Sequence, residues 1–219
     1  MGVRISVMQP YFAPYAGYFR LMCDVDAFVV LDEVQFPRRG WVHRNRLRRR
    51  DGVLDWLTLP IAYAPRTASI RELEFASGIE AWCSKASRRF AALGEPAPQL
   101  AGCLPLVRPE ESPCESMLRL LVGFCERLGL APPVVRQSEL SLPPELTGAE
   151  RIYEICRRMG ADTYLNSPGG RLLYDAEAFR RRGFELEFLP DYRGPMESIL
   201  QRLNDSPAEE IAAEIRANL

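Results

Sequence analysis

Short apolar runs and amphipathic stretches alternate along the start of the chain. The runs Val3–Gln9 and Ala27–Leu31 are short, apolar and rich in β-branched residues, and both predict buried strands. Ala27–Leu31 also lacks the polar–apolar alternation of a half-exposed strand, as expected for a sheet covered on both faces. Between them, Tyr15–Met22 has apolar residues at helical spacing and predicts a short helix. A strand, a helix and a strand within about 30 residues form a βαβ unit, which predicts a parallel sheet.

The next segments predict a hairpin followed by helices. Asp51-Gly52 is a strong signal for a tight turn, and we place a β-hairpin between Arg46–Arg49 and Val53–Ile61. Ile70–Phe75 predicts a further strand, and Glu80–Leu93 predicts a helix.

A second long helix is predicted after a loop rich in Pro and Gly. Ser112 and Glu115 have the spacing of a capping box, Pro113 occupies the first helical position, and Gly129 ends the helix. Together with the preceding helix, this segment forms a helical insertion at about residues 80–130.

The last third of the chain returns to alternating strands and helices. Strands are predicted at Val134–Glu139, Thr163–Asn166 and Phe184–Leu189, and helices at Ala149–Met159, Asp175–Arg182 and from Met196 onward. Both halves can feed one sheet. We therefore predict an α/β fold with a mainly parallel, Rossmann-like sheet flanked by helices, a small β-hairpin and the helical insertion. We expect one α/β domain over residues 1–219.

Composition narrows the class of protein. The 219 residues are 47% hydrophobic and 26% charged, which is ordinary for a globular domain. The N-terminus lacks the basic and apolar segments of a secretion signal, and no stretch approaches the ~18 apolar residues of a membrane span. We expect a cytoplasmic protein without a membrane span. The net charge of −1 argues against wholesale nucleic-acid binding. The partner we expect is a small-molecule substrate.

Six cysteines are present, but their spacing does not predict a metal site. No pair has CxxC spacing, and His43 is the single histidine in the sequence. We expect reduced, mostly buried thiols. A nucleophilic cysteine stays an open alternative, because the sequence does not show which thiol His43 meets, if any.

Loops that follow predicted strands are the first places to look for chemistry, because ligands of open parallel sheets bind beyond the carboxyl ends of the strands. The turn after the first strand carries Gln9, Tyr11 and Tyr15 between two prolines. Its rings either staple the first helix to the sheet or line a ligand pocket. Asp32 and Glu33 directly follow the second strand. A carboxylate there either caps a turn or binds a ligand or proton, and we choose Asp32 as the candidate catalytic residue.

Two further segments are candidates for binding an anion. The polar stretch after Trp41 contains His43, Arg44, Asn45 and Arg46, of which the last two can hold a phosphate or carboxylate. The loop after the strand Thr163–Asn166 contains Ser167, Gly169 and Arg171, whose backbone N–H groups can cradle an anion. It matches neither the P-loop nor the GxGxxG pattern.

These segments together resemble the WbqC-like family. The resemblance rests on MQPYFAPYAGYFRLM, DAFVVLDEVQFPRRGWVHRNRLR, WLTLPI, TYLNSPGGRLLYD and GFELEFLPDY, which are spread from Val3 to about Leu203. Members of that family occur in O-antigen and other polysaccharide gene clusters. The resemblance implies a transferase that moves an acyl or aminoacyl group, such as glycyl, onto an amino sugar or related amine. The family usually has Asn at the position of His43, so the resemblance implies binding rather than catalysis there.

Two other functions stay open. The start of the chain has a looser likeness to HIGH-type nucleotidyltransferases, although Pro14 and Tyr15 stand where their histidines would be. A nucleotide-dependent enzyme is therefore one alternative, and a non-enzymatic binding subunit is the other. The donor would be an activated acyl or aminoacyl compound or a nucleotide sugar, and the sequence names no cofactor.

Overall fold

Five parallel strands form the main sheet, and two antiparallel strands form a separate hairpin. The computed structural model describes residues 2–219, with the side chain of residue 101 left aside. The strands are β1 (Arg4–Met8), β2 (Ala27–Val30), β3 (Arg44–Arg48), β4 (Leu54–Thr58), β5 (Val134–Arg136), β6 (Thr163–Asn166) and β7 (Glu185–Phe188). The predicted α/β fold with a mainly parallel sheet, flanking helices and a small hairpin is confirmed.

The strand order in the main sheet is β5-β2-β1-β6-β7, with β1 at the centre. Ile5 pairs with Ala27 on one side of β1 and with Tyr164 on the other. The chain first moves outward through β2 to β5 and then returns to the opposite side of β1. This reversal places a topological switch point between β1 and β6, which is where open α/β sheets form ligand crevices.

Helices cover both faces of the sheet. They are α1 (Ile79–Arg89), α2 (Ala91–Gly94), α3 (Pro113–Arg127), α4 (Gly148–Arg158), α5 (Ala176–Arg180), α6 (Ile199–Asp205) and α7 (Ala208–Ala217). The side chains of Ile5 and Val7 share a core with α4 and α5. Phe28 and Val30, which face the other way, share a larger core with α3, α6, α7 and the hairpin. Burial on both faces explains why β2 shows no alternation in the sequence.

The hairpin formed by β3 and β4 turns where the sequence predicts. Gly52 has φ +82°, a left-handed conformation that glycine adopts without strain. The N–H of Arg49 donates to the carbonyl of Val53 across the turn, at 2.9 Å. The Asp51-Gly52 signal therefore fixes the register of the two strands.

The strand predicted at Ile70–Phe75 is wrong. Ile70–Glu72 instead forms one turn of 3-10 helix, because Ser69 and Glu72 make a reciprocal capping box. The Glu72 carboxylate accepts hydrogen bonds from both the N–H and the hydroxyl of Ser69, each at 2.7 Å. Local capping thus prevails over the apolar pattern of this segment.

The helix predicted at Glu80–Leu93 is broken. Phe90 has an extended backbone (φ −110°, ψ 125°) and forms a bridge with Arg49, which separates α1 from α2. The predicted capping box at the start of α3 is present. The helices α1–α3 follow β4 and precede β5 in the chain, where the helical insertion is predicted. None of the helices within residues 2–219 has the length and apolar composition that a bilayer crossing demands. That the chain forms one domain stays a prediction.

Candidate functional site

The turn after β1 is held between the hairpin and α6. The N–H of Phe12 donates to the carbonyl of Val42 at 2.8 Å. The carbonyl of Ala13 accepts from the Asn45 amide and from the Ser198 hydroxyl, each at 2.7 Å. The structure therefore brings the turn that carries Gln9, Tyr11 and Tyr15 against the segment that carries His43–Arg46, two parts of the chain that the sequence predicts to share a site.

The tyrosines of this turn are half-buried among other rings. Tyr11 lies 5.3 Å from Tyr18 between ring centroids, and Tyr15 lies 5.4 Å from Tyr192. Burial raises the pKa of both Tyr11 and Tyr15, so both stay protonated at neutral pH. The hydroxyl of Tyr18 donates to the carbonyl of Gln9 at 2.7 Å. The rings of Tyr11 and Tyr15 therefore pack against the core, and that they also line a ligand pocket stays a prediction.

Two tryptophans and two arginines form a cluster on the outer face of the hairpin, here called the Arg–Trp platform (Trp41, Arg44, Arg46 and Trp56). The indole rings lie 5.1 Å apart and are 40% and 37% exposed. The guanidinium carbon of Arg44 lies 4.5 Å from the Trp56 ring centre, and that of Arg46 lies 5.8 and 5.7 Å from the two rings. These distances are those of cation–π contacts.

Strand geometry explains which side chains join the platform. Successive residues of a strand point to opposite faces, so Arg44 and Arg46 share one face and Asn45 takes the other. Asn45 is buried, and its amide is used by Ala13 and by the N–H of Arg46. Asn45 therefore holds the backbone in place, while the two arginines remain for a ligand.

Arg46 has unused binding capacity. Within residues 2–219 it makes no ion pair, and its Nε is buried without an acceptor. Arg48, two residues along the same strand, instead pairs with Glu197. Arg44 is partly committed, because it donates to the carbonyls of Gly40 and Arg39 at 3.1 and 2.9 Å. Arg46 is thus the guanidinium best placed to take an incoming anion.

His43 is a neutral imidazole beside the platform. Burial and, secondarily, the charge of Arg44 lower its pKa below the usual value. Its ring packs edge-on against Phe36 at 5.0 Å, and its Nδ1 is buried without a partner among the described residues. A neutral ring with one free nitrogen can accept or donate a single hydrogen bond to a ligand.

The two carboxylates after β2 have different environments. Asp32 is buried, and its two oxygens accept from the N–H and hydroxyl of Ser138, at 3.0 and 2.6 Å. It therefore ties the end of β2 to the loop after β5. Glu33, the other carboxylate after β2, lines a cavity of about 410 Å³.

The loop after β6 lies beside the β1 turn. Extending the β1–β6 register by two residues brings Ser167 level with Met8, at the switch point. Gly169 faces open space, since no atom lies within 4 Å of the place where a Cβ would be. Arg171 instead stacks over Phe188 at 4.9 Å and donates to the carbonyl of Leu189 at 3.4 Å. Ser167 and Gly169 thus lie at the switch point, and Arg171 turns toward β7.

The sequence alone does not identify three candidate binding residues, which are Arg71, Arg151 and Trp56. Arg71 lies in a segment interpreted as a strand, and Arg151 lies in a helix with an ordinary amphipathic pattern. Trp56 is separated from Trp41 by the hairpin turn, and only the pairing of β3 with β4 brings the two rings together. No local signal links these residues, because each contact depends on tertiary folding.

Comparisons with known proteins match most of the chain. A family model described as the WbqC-like protein family matches residues 9–196. A curated protein of Mycobacterium tuberculosis (strain ATCC 25618 / H37Rv), described as uncharacterized protein Rv1507c, is 27% identical over 196 residues, which are 87% of this chain and 83% of that protein. No solved structure matches. The matched residues include the β1 turn, the Arg–Trp platform and the loop after β6.

Proposed function

Because the chain belongs to the WbqC-like protein family, we propose that it is a transferase that moves an acyl or aminoacyl group, such as glycyl, from an activated anionic donor onto an amino sugar or related amine. The reaction would serve the biosynthesis of O-antigen or a related polysaccharide. The observation that carries this proposal is Arg46, a guanidinium without an ion pair among the described residues, set against two half-exposed indole rings beside the β1 turn.

The platform suits the anionic part of a donor. A guanidinium grips phosphate or carboxylate through paired N–H groups, and an exposed indole offers a flat surface for a sugar or base. Arg44 adds a second positive charge on the same face. The Tyr11–Tyr15 edge and the Ser167–Gly169 backbone would then border the group that is transferred.

This proposal replaces the predicted catalytic role of Asp32 with a positioning role. Its two oxygens are occupied by Ser138, so it acts through the loop it anchors rather than as a free base. His43, neutral and unpartnered at Nδ1, would bind the donor near the platform.

Fluorescence offers a direct test of donor binding. Trp41 and Trp56 are two of three tryptophans, so a Trp82→Phe background leaves only the platform indoles as reporters. Titration with an activated acyl phosphate or a nucleotide sugar should quench this emission. Arg46→Ala should weaken binding about tenfold or more, as expected for losing a charged hydrogen bond.

Arg48→Ala is the matched control, because Arg48 lies on the same strand but is already paired with Glu197. It should bind the donor as the parent protein does. Equal affinity in all three proteins, together with no transfer to amino sugars, would contradict the proposal.

The strand order favours one further candidate, a nucleotide-dependent enzyme. A central β1 with a switch point beside it is the arrangement in which α/β sheets bind nucleotides. A magnesium-dependent rise in melting temperature with a nucleoside triphosphate would support this candidate over the transferase. Donor binding without turnover would instead favour a non-enzymatic binding subunit.

A further inference from the structure

A second polar cavity lies at the carboxyl ends of β2 and β5, here called the β2–β5 cleft (Glu33, Arg71, Glu72, Gln137 and Arg151). Its volume is about 410 Å³, within the range of small-molecule sites. Glu33 comes three residues after the end of β2, and Gln137 directly follows β5. The cleft thus occupies the edge at which parallel sheets bind ligands, on the opposite side of β1 from the switch point.

Arg151 supplies a guanidinium that can still bind a carboxylate. Its Nε donates to the carbonyl of Leu146 at 2.9 Å, and its Nη1 donates to Glu33 and Gln137 oxygens at 3.4 and 3.3 Å. Both of those acceptors are uncharged, because the Glu33 atom is the backbone carbonyl. Within residues 2–219 Arg151 has no carboxylate partner, so a ligand carboxylate can complete its charge.

The carboxylates of the cleft are held but incompletely neutralised. Glu33 accepts from Arg71 at 2.7 Å and from the Gln137 amide at 3.1 Å. Arg71 is about half exposed, so this ion pair is one that a ligand can open. Among residues 2–219, Glu72 accepts hydrogen bonds only from the neutral groups of Ser69. An incoming ammonium would therefore find two carboxylates and one competing cation.

We propose that the β2–β5 cleft binds a small zwitterion of the α-amino-acid type, with its carboxylate on Arg151 and its ammonium between Glu33 and Glu72. The cleft contains two guanidiniums and two carboxylates, whose charges cancel. A ligand with a charge of one sign would therefore leave the groups of that same sign without a partner. Leu142, Pro143 and Pro144 line the same cleft and offer an apolar wall for a side chain. This site is separate from the Arg–Trp platform and does not depend on the proposed transfer.

Calorimetric titration of the full chain with L-leucine tests the proposal. Two analogues of the same shape serve as controls: 4-methylpentanoate, which lacks the ammonium, and isoamylamine, which lacks the carboxylate. L-Leucine should bind at least roughly tenfold more tightly than either analogue, because each loses one charged contact. Similar affinities for all three, or no heat of binding up to millimolar L-leucine, would overturn the proposal.

Variants locate the binding. Glu33→Gln keeps the shape of the side chain and removes its charge. It should weaken L-leucine binding about tenfold and leave the binding of 4-methylpentanoate unaffected. Glu187→Gln is the matched control, because Glu187 is also an ion-paired carboxylate but contacts Arg4 on β1. Arg151→Lys removes the guanidinium proposed to hold the ligand carboxylate, so it should also weaken L-leucine binding. If that variant fails to fold, Glu33→Gln still decides the matter. Unchanged L-leucine affinity in Glu33→Gln would exclude this cleft, and donor titrations at the platform would be unaffected either way.

Discussion

At the scale of single residues, Gly17 shows how closely the first turn is packed. A Cβ built on Gly17 would lie 2.7 Å from Cγ of Tyr192 and closer still to Cε2 of Tyr15. Cγ is the first atom of its ring, so it cannot move without displacing the whole side chain. The two tyrosines therefore require a residue without a side chain at this position.

Gly17→Ala should lower the free energy of unfolding by about 1–3 kcal/mol, the usual cost of overpacking. Urea unfolding followed by circular dichroism measures this change. Gly169→Ala is the control, since open space surrounds its position and its φ is not left-handed, and it should change stability by less than about 0.5 kcal/mol. Equal losses in both variants would contradict the packing argument.

His43 should make the protein less stable in mild acid. Burial lowers its folded-state pKa below the unfolded value of about 6.5, so as pH falls through that value the unfolded chain binds the proton first. Stability from neutral His43 is thus complete above pH 6.5 and is lost toward lower pH. Unfolding free energies at pH 7.5 and 5.0 should differ less in His43→Asn than in the parent protein. An identical pH dependence would show that the imidazole does not titrate as described.

At the scale of elements, helix ends decide much of the local structure. Ser112 accepts from the N–H of Glu115 at 3.2 Å, and Glu115 accepts from the N–H of Ser112 at 2.8 Å. Thr147 occupies the corresponding position before α4 but makes no side-chain capping bond. The two helices therefore offer a matched pair.

Ser112→Ala should destabilise the protein by about 1 kcal/mol through loss of its cap. Thr147→Ala should have little effect, because no capping bond is lost. Thermal and urea unfolding of both variants provide the comparison. A larger loss in Thr147→Ala would mean that capping does not govern these helix ends.

The elements also show what the sequence can and cannot predict. Caps and turn glycines are local signals, so α3 and the hairpin turn could be predicted from Ser112, Glu115 and Gly52. The break at Phe90 could not, because it depends on pairing with Arg49, about 40 residues earlier. The same limit separates Asp32 from Glu33. The environment of Asp32 depends on Ser138, a residue brought close only by the pairing of β2 with β5.

At the scale of the whole molecule, the burial of the cysteine thiols determines their pKa and their reactivity. Burial raises the pKa of Cys114, Cys125 and Cys156 to about 12 and that of Cys23 to about 11. Cys83 is half-buried, while the other five are buried. The nucleophilic form of each buried thiol is therefore scarce near neutral pH.

Iodoacetamide at pH 8 should modify Cys83 first in the native protein, and the other five only after unfolding. Peptide mass spectrometry identifies the alkylated positions, and the same reaction in urea provides the fully modified control. Rapid native alkylation of a second cysteine would revive thiol-based acyl transfer, which needs a low-pKa thiol.

The whole-molecule architecture was the most predictable level. Apolar runs such as Val3–Gln9 reflect the burial of a strand in the core. Such a strand can therefore be predicted without knowing which strand it pairs with. The geometry of the site is less predictable, since the Arg–Trp platform joins residues from both sides of the hairpin turn.

The bond between Ser198 and the β1 turn has a consequence for the timing of synthesis. Ser198 donates its hydroxyl to Ala13 and its N–H to the carbonyl of Arg46, so it joins the turn to the hairpin. Both of those segments precede Ser198 in the chain, so they leave the ribosome well before it does. A growing chain can therefore contain every residue of the platform and turn without the clamp that aligns them. The turn and the hairpin are joined by this clamp only once the start of α6 has emerged and docked.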